Sequence, residues 1–390
     1  MPQLVSMTEQ ASVDNAGLSA ARAGRRACHS VLMVGTHLRA AGGIRAVVQG
    51  YLEAGLLQTF HGVYVHTHTN GNVWRKAWYA FRGYIAIAWY LLTLDAPLVH
   101  AHVASRASFW RKSIVFLMAR ARGRPYIVHL HGGEFAQFYQ NECGPREQRY
   151  VRATLENAAV VLALSEEWRQ RLLRICPQAT IEVLPNAVTL PEPGALNRAT
   201  PLAPTVLFLG HLERAKGTYD LVHAFARIAE RFPKARLLCG GDGAIEQVRA
   251  LAQQLGIADR VECPGWLDLA QKQRALATAS IFVLPSYTEG LPMALLEAMS
   301  WGLPVITTPV GGIPQVVQHE ANGCLVQPGH VDDLAAAIAM LLESSAARAR
   351  LGAAARSTIE SQYTLDRALQ RLGEIYGRFG LTALTGWHKK

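Results

Sequence analysis

The sequence predicts an α/β protein built from two doubly wound parallel sheets joined by a linker. Short apolar runs alternate with segments of helical period along the whole chain, the pattern of parallel strands with crossover helices. The alternation breaks once, at Pro185-Asn186 and a loop holding Pro191, Pro193, Pro201 and Pro204. The length fits that division, since 390 residues make two to three domains at roughly 150 residues each. Half the residues are hydrophobic and only 17% are charged. Such a composition excludes a disordered chain, which needs low hydrophobicity and high charge.

In the first half, strands are expected at 30–35, 61–67, 97–101, 126–130, 159–163 and 180–184, with amphipathic stretches at 44–57, 77–93, 106–122, 147–157 and 165–175 between them. Beyond the linker at 185–204, strands are expected at 206–209, 236–239, 260–263, 281–284, 305–307 and 324–326. From Val331 onward the chain is Ala-rich and helical. The expected division is a polar tail at 1–29, a domain at 30–198, a second at 199–360, and a helical tail at 361–390 packing back toward the first domain. Six cysteines show no CxxC pair, and a chain this long needs no disulfide staples, so reduced thiols in a cytosolic compartment are expected. No apolar signal core is present in the first 30 residues. The longest apolar run, 84–94, is about half of what crosses a bilayer.

The net charge of +10 is unevenly placed. Residues 1–198 carry 21 Lys and Arg against 12 Asp and Glu, while 199–390 carry 18 against 17. Within 75–124 nine basic residues face a single acid, Asp95. That field suits phosphate-bearing partners such as anionic lipid heads, lipid diphosphates or nucleic acid. No RNA- or DNA-binding module is recognisable, so nucleic acid is not expected. The same stretch holds Trp74, Trp78, Tyr79, Phe81, Tyr84, Trp89, Tyr90, Phe109 and Trp110. Cations mixed with amphipathic rings fit a protein lying against an anionic membrane, although most of these aromatics are expected in an ordinary two-helix core.

In doubly wound sheets, ligands bind at the carboxyl ends of strands. Three loops there are suggestive. Gly42-Gly43 opens a helix and lets backbone N–H groups approach an anion, and Gly240-Gly241-Asp242-Gly243 is similarly open. The segment 284–299 is more informative: Glu289 lies in a turn, Pro292 at a helix start, and Glu297 on the helix. Eight residues at helical rise span about 12 Å, roughly the distance from a hexose to a ribose across a diphosphate. Two carboxylates so placed suit hydroxyls at the two ends of a nucleotide sugar.

The segment resembles the E-x7-E motif of retaining glycosyltransferases of family 4, which have the GT-B fold of two Rossmann-like domains facing across a cleft. Matching segments follow in the family's order: Gly42-Gly43, His131-Gly132, 184–188, Leu209-Gly210 through Lys216-Gly217, Gly241-Asp242-Gly243, Pro304-Val305-Ile306 and Gly311-Gly312-Ile313-Pro314. The resemblance covers roughly 30 to 380 and implies residue roles. Glu297 accepts the ribose hydroxyls, and Glu289 binds the donor sugar beside the N–H groups of Gly290 and Leu291. Lys216 neutralises the diphosphate, Gly43 presents its N–H to the same phosphates, and His131 faces the donor sugar. His131, Glu289 and Lys216 form the implied catalytic set. Gly42, Gly241, Gly243 and Pro292 complete the donor-binding set together with His211 and Arg214. His211 departs from the family, which usually has Arg there, and Arg214 is the candidate substitute.

His100 and His102, like His129 and His131, share the i, i+2 spacing of one strand face. Two separate pairs are not a metal-ligand set, and no Asp-x-Asp occurs, so neither metal nor other cofactor is expected. The implied activity is retaining transfer of a hexose from a UDP- or GDP-linked donor, as co-substrate, to a saccharide or polyprenyl-diphosphate-linked acceptor in bacterial exopolysaccharide or lipopolysaccharide synthesis. The implied location is cytoplasmic, peripheral to the inner membrane. A sugar-nucleotide epimerase of the same fold and a non-catalytic nucleotide-sugar binder are the alternatives.

Overall fold

The computed structural model describes residues 28–38, 42–69, 71–196 and 203–383. The polar tail expected at 1–29 lies almost wholly outside the described residues, as do part of the linker and residues 384–390 of the tail expected at 361–390.

Two six-stranded parallel sheets form the two halves. The first contains β1 (Ser30–Gly35), β2 (Val63–His66), β3 (Pro97–Val103), β4 (Tyr126–Leu130), β5 (Val160–Ala163) and β6 (Ile181–Val183), in the spatial order β2-β1-β3-β4-β5-β6. The second contains β7 (Thr205–Leu209), β8 (Arg236–Gly240), β9 (Val261–Gly265), β10 (Ile281–Leu284), β11 (Val305–Thr307) and β12 (Cys324–Leu325), in the order β12-β11-β10-β7-β8-β9. Every expected strand occurs, with ends moved by one or two residues. The central strands β1, β3, β4, β5, β10 and β11 are buried on both faces, so each reads as an apolar run. The architecture is the two-domain GT-B arrangement that the resemblance implies.

The longer helices run between strands: α1 (Gly43–Glu53), α2 (Val73–Thr93), α3 (Ala107–Ala121), α4 (Pro145–Glu156) and α5 (Glu166–Ile175) in the first half. The second half holds α6 (Thr218–Ile228), α7 (Ile245–Gln254), α8 (Leu269–Thr278), α9 (Met293–Ser300), α10 (Val331–Glu343) and α11 (Ser345–Gln362). α2 begins four residues before its expected start because the Asn72 side chain caps it, accepting from the Arg75 N–H at 2.9 Å.

The two faces of the first sheet have different covers. Leu32, Val34, Val99 and Val128 pack with α2, α3, α4 and α5. Val31, Met33, Leu98 and Ile127 pack instead with α1 and the last helix, α12 (Leu365–Gly377). Leu365, Leu369, Leu372 and Tyr376 recur at helical spacing, and all four are buried in that cluster. Arg378 and Arg371 fix the crossing by pairing with Glu182 of β6 at 2.6 and 3.1 Å. The chain therefore returns from the second half to cover the first. All six cysteines are buried.

Candidate active site

The order of the second sheet reverses between β7 and β10, and at such a switch point the loops after the two strands diverge and leave a crevice. From the β7 loop, a single 3-10 turn (Arg214–Lys216) presents Lys216. From the β10 loop comes Glu289. Lys216 Nζ donates to Glu289 Oε1 at 2.8 Å, and the Ser286 hydroxyl donates to the same oxygen at 2.8 Å. The Glu289 side chain is only 8% exposed. A carboxylate that far from water must be paired, and the two donors hold it in one orientation beside Gly290 and Leu291.

The other end of the crevice is built by α9. Its core-facing side carries Leu295, Leu296, Ala298 and Met299, leaving Met293, Ala294 and Glu297 to line the opening. Glu297 Oε1 accepts from Lys272 Nζ of α8 at 2.6 Å. Trp266, half-exposed after β9, lines the same end. The stretch joining the two carboxylates is part turn and part helix, so helical rise alone does not set their separation.

The first half supplies the opposite wall. Gly42-Gly43 opens α1 and lies over the cleft near Met293. At the end of β4, His131-Gly132-Gly133 meets the Glu289–Gly290 backbone. A Cβ on Gly133 would stand 2.6 Å from the Glu289 carbonyl carbon and 2.9 Å from the Gly290 nitrogen. Only glycine lets the two walls touch there. Asn186 joins them again, its Nδ2 donating to the Leu291 carbonyl at 2.6 Å. Between the walls the cleft encloses about 1200 Å³, above the usual range for a small-ligand site.

Behind His131 lies a buried ladder. β3 and β4 pair with His102 opposite His129, which puts four imidazoles on the face shared with α1 and α12. His102 Nδ1 is 2.8 Å from His131 Nε2, His100 Nε2 is 3.2 Å from His129 Nδ1, and His100 Nδ1 is 2.6 Å from the Tyr376 hydroxyl. Burial pushes His100 and His131 down to about 3. Burial, then the neighbouring imidazoles, push His102 and His129 well below the usual histidine range. Asn186 opposes this at His131, favouring its charged form, although Nδ1 makes no full hydrogen bond. Nitrogens of His100, His102 and His129 lie within 4.8 Å of one another. Four of their six nitrogens are engaged, with each other, with Tyr376 or with His131, and only Nε2 of His102 and of His129 stay unpartnered. Two free nitrogens are two short of a closed zinc site.

Eleven of the residues singled out in the sequence meet at this cleft. Gly42, Gly43 and His131 line one wall, and Lys216, Glu289, Gly290, Leu291, Pro292 and Glu297 the other, with His211 and Gly241 between. Two do not line it. Arg214 is exposed and near enough to Tyr287, whose hydroxyl donates to Asp220, to act on it electrostatically. Gly243 backs onto the His211 ring, where a Cβ would come within 2.9 Å of Cε1. His211 itself is half-exposed, with Nδ1 2.8 Å from Asp242 Oδ1. A further cation lining the cleft is Arg45, whose Nε is buried without a partner among the described residues. Lys272, Ser286, Gly133 and Arg45 were not foreseen. Arg45 follows Gly42-Gly43 by two positions and was the most accessible of the four to sequence reasoning.

Comparison with known proteins adds a family to this geometry. Residues 199–358 match the sequence model described as glycosyl transferases group 1, and residues 20–192 match that of glycosyltransferase family 4. The chain is 32% identical over 249 residues to the GDP-mannose-dependent alpha-(1-6)-phosphatidylinositol monomannoside mannosyltransferase of Mycobacterium tuberculosis. That match spans 59% of this chain and just under two thirds, 65%, of the mycobacterial one. It is 28% identical to the amylovoran biosynthesis glycosyltransferase AmsK of Erwinia amylovora, over 65% of this chain and 63% of that one. Among solved structures, sucrose-phosphate synthase from Thermosynechococcus elongatus superposes with a TM-score of 0.75 over 90% of this chain and 99% of its own, at 23% identity. HepE of Anabaena in complex with UDP-glucose gives 0.69 over 89% and 99%, at 16% identity. At those identities the likeness is one of fold.

Proposed function

The chain belongs to the glycosyltransferases of group 1 and family 4, and on that premise we propose that it moves a hexose from a UDP- or GDP-linked donor to a saccharide acceptor with retention at the anomeric carbon. The observation that carries this reading is the pair of held carboxylates, Glu289 on Lys216 and Glu297 on Lys272, at two ends of one cleft. Glu289 takes the sugar hydroxyls and Glu297 the ribose.

As the bond from the anomeric carbon to the leaving phosphate oxygen breaks, positive charge grows on the sugar and negative charge on the phosphate. Lys216 is the cation placed to meet that charge, joined by the N–H groups of Gly43, Gly290 and Leu291 and by Arg45. An acceptor hydroxyl attacks from the face the phosphate leaves. Its oxygen bonds the anomeric carbon, and its proton passes to the departing phosphate oxygen. No enzyme nucleophile and no metal take part. His131 lines the cleft with Nε2 tied to His102 and Nδ1 buried.

The acceptor is a lipid-linked saccharide, met at the cytoplasmic face of an anionic membrane during exopolysaccharide or lipopolysaccharide synthesis. The basic balance of residues 75–124 and the phosphatidylinositol monomannoside acceptor for which the mycobacterial relative is named support that reading. A thermal-shift panel of UDP-, GDP- and ADP-sugars tests donor use, because a ligand bound only to the folded state raises its apparent stability. One base is expected to raise the midpoint. No shift with any of them overturns the proposal.

A further inference from the structure

Helix α2 has two apolar faces, and only one is covered. Gly83, Ile87 and Leu91 are buried. Trp74, Trp78, Phe81, Ile85, Trp89 and Leu92 are exposed, between 56% and 83%. Their spacings of four, three, four, four and three residues hold them on a single stripe. At 21 residues the helix is about 30 Å long, and the stripe runs almost its full length. Ile114 and Leu117 of the neighbouring α3 are exposed as well. An unbroken aromatic stripe of this size on a lone surface is rare and marks an interaction site.

The charges beside it select the occupant. Arg75 and Arg82 flank the stripe, Lys76 is exposed in the first turn of the helix, and the end of α3 adds exposed Arg120 and Arg122. α2 and α3 contain no acidic residue, and among the described residues none of these five cations is in an ion pair. A second copy of the chain would set the same cations against one another across a two-fold contact. Interfacial helices combine Trp and Phe on one face with Lys and Arg along the flanks, the rings at headgroup depth and the cations on anionic lipid. No helix of the described residues is long and apolar enough to cross a membrane, so the helix would lie in the plane of the surface.

We propose that α2 is the membrane-inserting element of this protein, lying along an anionic bilayer with Trp74, Trp78, Phe81, Ile85, Trp89 and Leu92 in the headgroup layer. α2 follows the carboxyl end of β2, the end of the sheet at which the cleft opens, so insertion turns the first-half wall of the cleft toward the bilayer. The inference deepens the lipid-linked acceptor reading, but it can be tested with no donor or acceptor present. Insertion also differs from attraction by charge alone: rings held in the headgroup layer resist salt, whereas cations over a surface release as the screening length falls to roughly 3 Å at 1 M.

The test is flotation of the full chain with phosphatidylglycerol–phosphatidylcholine vesicles at low and high salt, for the wild type and for Trp78→Ser/Phe81→Ser/Trp89→Ser. These three side chains contribute nothing to the core, and circular dichroism checks that the variant folds. The wild type is expected to float with anionic vesicles and to remain partly bound in high salt, while the variant loses roughly tenfold or more of its apparent affinity. Equal flotation of variant and wild type overturns the proposal, as does complete release of the wild type by salt. Self-association of the wild type that the substitutions abolish, with no vesicle binding, overturns it in favour of a second copy. Vesicle binding by a protein whose stability no nucleotide sugar changes would sustain this inference and remove the donor reading.

Discussion

Lys272 Nζ lies 2.6 Å from Glu297 Oε1, so the carboxylate at one end of the cleft is held in place by a lysine on a different helix. A carboxylate accepting two ribose hydroxyls makes stronger hydrogen bonds than an amide would. Glu297→Gln is therefore expected to weaken nucleotide binding by roughly tenfold or more. Lys272→Met should act in the same direction but less, because the carboxylate stays and only its positioning is lost. Calorimetric titration with UDP or GDP ranks the two. A larger loss from Lys272→Met would mean that the lysine, not the carboxylate, holds the nucleotide.

Glu289 should separate from Glu297 in kinetics. In the proposed mechanism it binds the sugar hydroxyls, so Glu289→Gln is expected to lower turnover more than nucleotide affinity. Lys216→Met should cost roughly 100-fold in turnover, the scale of losing one charge-stabilising donor. It should also lower the melting midpoint, since Glu289 is left with Ser286 alone. Equal loss of nucleotide binding in Glu289→Gln and Glu297→Gln would show that the two ends are wrongly assigned.

Activity is expected to survive EDTA, because charge on the leaving phosphate is assigned to Lys216, Arg45 and backbone N–H groups. Loss of activity on chelation, with recovery on adding Mn²⁺, would remove the metal-independent mechanism.

Gly133 offers a test of the contact between the halves. An added methyl would meet the Glu289–Gly290 backbone well inside van der Waals distance, and a backbone neighbour cannot swing away as a side-chain tip can. Gly133→Ala should therefore hold the walls apart and reduce turnover, while nucleotide binding, which keeps Glu297, Lys272 and Lys216 of the second half, is lowered less. Unchanged turnover would mean that the walls need not touch during transfer.

What the sequence made legible follows from burial. Strands such as Val160–Ala163 and Ile281–Leu284 are covered on both faces and show as apolar runs. Glu289 and Glu297 were legible because they share one loop and helix. Lys272 was not, lying 25 residues from Glu297 on a separate helix. The resemblance offered Arg214 as a substitute cation where His211 stands, but it does not line the cleft: on the 3-10 turn its side chain and that of Lys216, two positions on, point in different directions. The aromatics of α2 were expected mostly in a core. Their period identifies a stripe, but with Gly83, Ile87 and Leu91 forming a second apolar face, period alone does not decide which face is covered.

The histidine ladder sets an acid limit on stability. His100 and His131 are held at about 3, and His102 and His129 well below their usual range, chiefly by burial. In the unfolded chain the same groups titrate near 6.5. Between those values the unfolded state binds protons that the folded state refuses, so stability is fully present above 6.5 and is lost as pH falls toward 3. Each fully excluded proton makes a slope of about 1.4 kcal/mol per pH unit. Carboxylates contribute mainly at lower pH, so the upper part of the window, from about 6.5 to 5, isolates the histidines. The melting midpoint should fall across that interval. His129→Asn cannot take up a proton, so it should flatten the fall even though it loses the bond to His100 and starts from a lower midpoint. A slope unchanged by that substitution would mean that the ladder opens to water and titrates as freely in the folded protein as in the unfolded chain.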